Sequence, residues 1–247
     1  MTAFRLLRQY PIIAAFVFVS LAFWLLPQID MWLMNQVWQE ESGFFLAKEF
    51  WAVWLYEVFA KVFVPLALLL LLGVGLGFLR ESWVAKLPKL AQRLFSPAYT
   101  HFLRPYRQQL LFLFLVLVVG SLVVEVLMKG TWGRARPRDI LEFGGDLLFT
   151  PAWVISGQCS YNCSFVSGHA AIGFYFMSIA WVLKRKVWLL PGLILGLALG
   201  LTRIVQGGHF PSDVILPAFV VYFTCHWFSL WLLNFGFHFS TLRPPTA

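Results

Sequence analysis

Six apolar runs dominate this chain, at 11–26, 62–79, 109–128, 169–183, 187–203 and 213–235. A backbone exposed to lipid must satisfy its own hydrogen bonds, so each run is expected to be a helix. The third contains "LLFLFLVLVVGSLVVEVL", about 18 residues and enough to cross a bilayer by itself. The fourth and fifth hold only about 15–17 residues, short of the usual ~20. Those two helices either extend into their flanks or end inside protein, below the membrane surface. With 60% of 247 residues hydrophobic and 12% charged, the chain carries more apolar surface than a soluble domain of this length can hide. The expected fold is an all-α integral membrane protein with six transmembrane helices, forming one membrane domain over 1–247. Arg5 and Arg8 precede the first run as in a signal peptide. That run is long, ends at Pro27 and has no small-residue cleavage site, so it reads as an uncleaved helix.

Orientation follows from Lys and Arg. Arg80, Lys86, Lys89, Arg93, Arg104 and Arg107 crowd the stretch 80–107, and Lys184, Arg185 and Lys186 form a second cluster. With six crossings these share one side with Arg5, Arg8 and Arg243, and the positive-inside rule makes that side the cytoplasm, both termini included. The net charge of +8, which in a soluble protein would suggest nucleic acid, is explained by this bias, and no nucleic-acid partner is expected. The stretch 80–107, with Pro88, Pro97 and Pro105, reads as a basic cytoplasmic linker, suited to anionic lipid. The segment 27–61 falls outside. It leans acidic, and Trp32, Trp38, Trp51 and Trp54 suit an outer-face helix lying at the interface.

The loop 129–168 also falls outside, yet "KGTWGRARPRD" places Lys129, Arg134, Arg136 and Arg138 at the mouth of the third helix. Basic residues on the disfavoured side need a reason, and anion binding supplies one. The same face receives Ser167, Gly168 and His169 at the start of the fourth helix. Arg203 stands at the end of the fifth, and His209, Pro211 and Asp213 at the start of the sixth. Guanidinium groups match phosphate oxygens as a fork, and Lys adds a point charge. The free N–H groups after Ser167 and Gly168 suit an anion. A neutral His can attack phosphorus, a carboxylate four residues on can fix its tautomer, and a second, protonated His can protonate the leaving oxygen. His169, His209 and Asp213 could instead bind zinc, but three fixed cations beside them would repel a metal and neutralise a phosphoryl group. No metal or other cofactor is expected.

In order, these motifs resemble the signature of the type 2 phosphatidic acid phosphatase superfamily of membrane lipid phosphatases: K-x6-R-P, P-S-G-H and S-R-x5-H-x3-D. Here they read "KGTWGRARP", "VSGH" and "TRIVQGGHFPSD", with Val166 for Pro and Thr202 for Ser. The resemblance covers roughly 110–235, with core motifs over 129–213. It implies that His209 is the nucleophile, Asp213 its partner and His169 the leaving-group acid. It implies that Lys129, Arg136, Arg203, Ser167 and the N–H of Gly168 hold the phosphate, without metal. The loop "EFGG…NCSFVSGHA" looks most like the bacterial lipid A phosphatase branch. Lipid A and undecaprenyl pyrophosphate both suit a site on the outer face of the cytoplasmic membrane. Phosphoryl transfer to a second lipid, and a non-enzymatic anion-binding or transport protein, are the competing readings.

Around the motifs, Glu125 lies one helical turn before Lys129 and is expected to pair with it. Arg134 and Arg138 either contact a second phosphate or head group or are solvated loop charges, the latter favoured. Cys159 and Cys163 can bond in an oxidising compartment or remain free thiols. Gly192, Gly196 and Gly200 make a smooth helix face for close packing.

Overall fold

The computed structural model describes residues 10–79, 81–86, 89 and 97–237. Arg5, Arg8, Arg80, Arg93 and Arg243, which carry part of the orientation argument, lie outside the described residues. Each of the six apolar runs is helical, and among the described residues extended backbone pairs only in two isolated bridges. Helix α1 (Pro11–Leu25) meets α2 (Gln28–Asn35) at a 78° bend. Pro27 stands at that bend, where its missing N–H cannot continue the helical ladder. Helices α3 (Phe50–Ala60) and α4 (Phe63–Phe78) run on as a single stretch of 29 residues. Helix α5 (Arg107–Leu122) continues through a π-helical turn (Val123–Met128) into a last turn (Lys129–Trp132). Helices α6 (Gly168–Tyr175, prolonged to Val182), α7 (Leu189–Val205) and α8 (Pro211–Leu232) complete the bundle.

Among the described residues four helices are long and apolar enough to cross a membrane: Phe50–Phe78, Tyr99–Asp139, Lys186–Val205 and Pro211–Leu232. The bent pair of α1 and α2 makes a fifth if it counts as one span, and Gly168–Val182 is a shorter apolar helix. Large apolar side chains such as Leu68, Leu69 and Trp231 point outward, as a lipid solvent allows.

The second helix differs from its expected start at 62. Glu57 and Lys61 break the apolar run in sequence, but they pair one turn apart at 2.8 Å and the helix passes beneath them. Residues 50–60 therefore form the first turns of a continuing helix that packs on α6 and α7.

The core is built on α5, α6, α7 and α8, with Phe112, Phe174, Trp181 and Leu216 buried. Packing of α6 on α7 is close because glycines face the contact. A Cβ on Gly173 would stand 2.5 Å from the Cα of Gly196, and one on Gly192 would stand 2.2 Å from the Met177 nitrogen. This approach carries Arg203, at the end of α7, toward His169 at the start of α6.

Candidate active site

The end of α7 and the start of α8 explain the R-x5-H-x3-D spacing. Gly207 adopts φ +60°, its N–H donates to the Ile204 carbonyl (2.9 Å), and the Gly208 N–H donates to the Arg203 carbonyl (2.8 Å). That is a Schellman closure, which turns the chain sharply after Gln206. Pro211 then opens α8, and the Asp213 carboxylate accepts the Phe210 N–H at 2.8 Å. One helix stop and one helix start thus set His209 between Arg203 and Asp213.

His209 is 1% exposed. Its Nδ1 lies 2.6 Å from the Ser164 carbonyl oxygen. A carbonyl only accepts, so Nδ1 carries the proton and Nε2 keeps its lone pair. Asp213 Oδ2 is 4.0 Å from Nδ1. Ser164, and not Asp213 as expected, therefore sets the tautomer. Asp213 acts through its neighbours, accepting from Ser164 Oγ at 2.5 Å and from the Arg134 guanidinium at 2.6 Å. Burial holds the His209 imidazole well below its ordinary pKa, and Arg136, Arg203 and Lys129 push the same way; the Ser164 carbonyl opposes them.

Ser164 is placed by a strap running back along the end of α5. The N–H groups of Ser156, Cys159 and Ser164 donate to the carbonyls of Trp132, Gly133 and Arg134 at 2.8–2.9 Å. Cys159 and Cys163 are disulfide-bonded at the tip of this strap. Arg134 corrects an expectation. It is neither a solvated charge nor a head-group contact but is fully buried, with Nη2 2.8 Å from Asp30 Oδ2 and Nη1 2.6 Å from Asp213 Oδ1. Ser212 closes the network, its N–H and hydroxyl both donating to Asp30.

On the other side His209 borders an open cavity of about 450 Å³, where Lys129, Arg136, Arg203 and His169 converge. Lys129 Nζ meets both Glu125 oxygens at 2.9 and 2.8 Å, the ion pair expected from the spacing. Arg136 donates to the Asn162 carbonyl and side chain and to the Gly208 carbonyl. Arg203 Nη1 donates to Gln206 Oε1, while Arg203 Nε and His169 Nε2 are buried and have no hydrogen-bond partner. Arg138 stands half-exposed at the rim, 3.7 Å from Asp139. Gly168 lies behind the Glu125–Lys129 pair, where a Cβ would come within 1.8 Å of Glu125 Oε1. Ser167 is buried and does not face the cavity. It caps α6, its hydroxyl accepting the Ala170 N–H at 3.4 Å. Among the described residues no three His, Cys, Asp or Glu side chains form a metal-ligand cluster.

Residues 109–237, just over half of the chain, match the model of the PAP2 superfamily. The chain belongs to the PAP2 superfamily. A lipid A 4′-phosphatase of Francisella tularensis subsp. novicida is 43% identical over 122 residues, covering 47% of this chain and 55% of that protein. A lipid A 4′-phosphatase of Rhizobium leguminosarum is 39% identical over 104 residues, 40% of this chain and 45% of that protein. A lipid A 1-phosphatase of Rhizobium etli is 35% identical over 105 residues, 42% of each. The chain thus matches about half the length of these curated relatives. No solved structure matches it.

The PAP2 match begins at α5, so α1–α4 lie before it. That earlier part contributes to the site: Ala47 lines the cavity, Asp30 holds Arg134, and the ring of Tyr56 lies against His169. Sequence reasoning passed over Asp30 and Tyr56, along with Ser164, Asn162 and Gln206. An acid after a helix-breaking Pro27 was the one available sign of Asp30. Ser164 works through its backbone carbonyl, which no side-chain motif records.

Proposed function

We propose that this PAP2 chain hydrolyses a phosphate ester of a membrane lipid through a phosphohistidine. The observation that carries this reading is the position of His169. It lines the cationic cavity and also a neighbouring apolar crevice of about 240 Å³ bounded by Phe63, Val124 and Ile172. A lipid phosphate needs those two environments side by side, with its scissile bond at their junction.

His209 Nε2 would attack phosphorus, forming a P–N bond as the P–O bond to the lipid breaks. The departing oxygen would take the His169 proton. Water would then attack the phosphohistidine while His169 recovers that proton, releasing inorganic phosphate and free His209. Lys129, Arg136 and Arg203 would offset the charge that builds on the equatorial oxygens, so these side chains do what a metal does elsewhere. Asp213 would stabilise the positive charge at His209 through Ser164.

The names of the similar proteins favour lipid A as substrate over undecaprenyl pyrophosphate. The full topology remains part of the proposal: six crossings of the cytoplasmic membrane, termini inside, and the site outward with the 27–61 segment at its mouth. Its support is the cytoplasmic assignment of Lys86, Lys89, Arg104, Arg107 and 184–186, at the opposite helix ends from the site. Labelling of Arg138→Cys by an impermeant maleimide in intact cells tests it, since an inward-facing site would stay unlabelled.

The deciding experiment is phosphate release from lipid A, undecaprenyl pyrophosphate and phosphatidic acid by purified protein with EDTA present. Acid quenching tests for label on the protein, because a phosphoramidate is acid-labile and a phosphoester is not. Release from lipid A that survives EDTA and vanishes in His209→Ala is expected. Release that persists in His209→Ala would overturn the mechanism, and phosphate found on an added acceptor lipid would make the chain a transferase.

A further inference from the structure

Tyr56 lies on α3, outside the part of the chain that matches the superfamily, yet it lines the cationic cavity. Its ring stacks on the His169 imidazole, with centroids 4.7 Å apart and planes 21° from parallel. The Arg203 guanidinium carbon stands 4.6 Å from the centroid of the same ring. One aromatic face system therefore touches both the group that would protonate the leaving oxygen and a cation that would hold the phosphate. Hydrogen bonds do not fix these two at the relevant atoms, since His169 Nε2 and Arg203 Nε have no partner. Helix α3 is itself tied to the end of α7. Gln206 Nε2 donates to the Ala52 carbonyl at 3.3 Å, and Gln206 Oε1 accepts from Arg203.

A π face is negative, so it attracts an imidazolium more than a neutral imidazole. The cavity otherwise lines His169 with the cations Lys129, Arg136 and Arg203 and with one carboxylate, Glu125, which is already paired with Lys129. From this juxtaposition we infer that Tyr56 is a positioning residue for leaving-group protonation. Its ring holds His169 in register and stabilises the charged form that donates the proton, and it shares this face with Arg203. This rests on the hydrolytic reading above. It adds to that reading a part of the site supplied by α3, a segment outside the superfamily match.

The leaving group separates this role from a structural one. An alkoxide must be protonated as it departs, whereas a nitrophenolate leaves without help. The value of kcat/KM reports the first P–O cleavage for both, whatever limits later turnover. The test uses the full chain in detergent with lipid A and with p-nitrophenyl phosphate. Tyr56→Leu should lower kcat/KM on lipid A by about 30-fold, the scale of a desolvated cation–π contact, and on p-nitrophenyl phosphate by less than about 3-fold. Tyr56→Phe keeps the face and should stay within about 2-fold of wild type on both. His169→Ala should show the same leaving-group asymmetry with a larger loss, about 10²-fold or more on lipid A.

If Tyr56→Leu does not fold, fluorinated phenylalanines at position 56 keep the shape and drain the face. Activity on lipid A should then fall with each added fluorine while activity on the aryl ester holds. Equal losses on both substrates, no loss on either, or Tyr56→Phe as damaging as Tyr56→Leu would overturn the inference. Full activity in His209→Ala, or none in wild type, would instead overturn the hydrolytic reading and this inference with it.

Discussion

Arg134 and Arg136 stand two residues apart and serve opposite ends of one site. Arg134 is fully buried and closes on the two carboxylates of Asp30 and Asp213, so its charge is spent inside the protein. Arg136 borders the cavity and is held by carbonyls of Asn162 and Gly208, which leave its positive charge uncompensated. The same contrast divides the whole site. His209, Asp213 and Ser164 are at most 1% exposed and hydrogen-bonded, whereas His169 and Arg203 face the cavity with unpartnered nitrogens. On the proposed mechanism the nucleophile would be fixed before any substrate arrives, whereas His169 and Arg203 would complete their contacts only around a phosphate. Fixed geometry lowers the barrier to attack, and the two guanidinium groups of Arg136 and Arg203, which no carboxylate holds in the cavity, reserve their attraction for a ligand.

The largest effect should fall on His209. On the proposed mechanism His209→Gln should lower kcat by about 10⁴-fold or more, with binding of inorganic phosphate retained. Next comes stability. Arg134→Met would leave Asp30 and Asp213 buried and uncompensated, and should cost about 3–5 kcal/mol of folding free energy in thermal or denaturant unfolding in detergent. Lys129→Met should behave differently. Its partner Glu125 is half-exposed and can be hydrated, so stability should fall by less than about 1 kcal/mol. Orthovanadate affinity should drop by about 10- to 100-fold, the worth of one charged hydrogen bond. If Arg134→Met and Lys129→Met lose the same stability and the same affinity, the division of the site is wrong.

A pH titration sharpens the same contrast. Burial keeps folded His209 neutral well below the ordinary imidazole value of 6.5. Below that value the unfolded chain binds a proton that the folded chain refuses. Stability contributed by this group is therefore complete above 6.5 and is lost as pH falls toward the folded pKa. The stability of wild type relative to His209→Gln should decline by about 1.4 kcal/mol per pH unit in that window. A constant difference between the two proteins from pH 7.5 to 5 would mean that His209 is solvated.

The cations of the cavity were legible because charge at the mouth of a membrane helix is conspicuous against an apolar background. The helices were legible for the complementary reason, an apolar run with no other way to satisfy its backbone. Legibility failed where a residue's environment, and not its type, decides its role. Arg134 looks like Arg138 in sequence, and the carboxylates of Asp30 and Asp213, 104 and 79 residues away, make it internal. Ser167 was expected at the phosphate, but its helix start needs a cap and takes the hydroxyl for that. The join of α3 to α4 was hidden by Glu57 and Lys61, whose polarity cancels locally once they pair. That join is also what carries Tyr56 to His169, so one misread helix start concealed a site residue.

The smallest expected effect tests how rigid the strap must be. The Cys159–Cys163 bond encloses Asn162, whose carbonyl and side chain hold Arg136. Closing so short a loop removes little entropy from the unfolded chain, so Cys159→Ser with Cys163→Ser should cost only about 2 kcal/mol. The strap keeps its backbone hydrogen bonds to Trp132 and Gly133 without the sulfur bridge, and Ser164 should stay on His209. Arg136, by contrast, loses a fixed anchor. The double variant should therefore raise KM by about 3- to 10-fold, the loss of one ordinary hydrogen bond, with kcat nearly unchanged. A fall in kcat with KM unchanged would show that the bridge serves Ser164 and the buried half, and would reverse the assignment of the strap between the two regions.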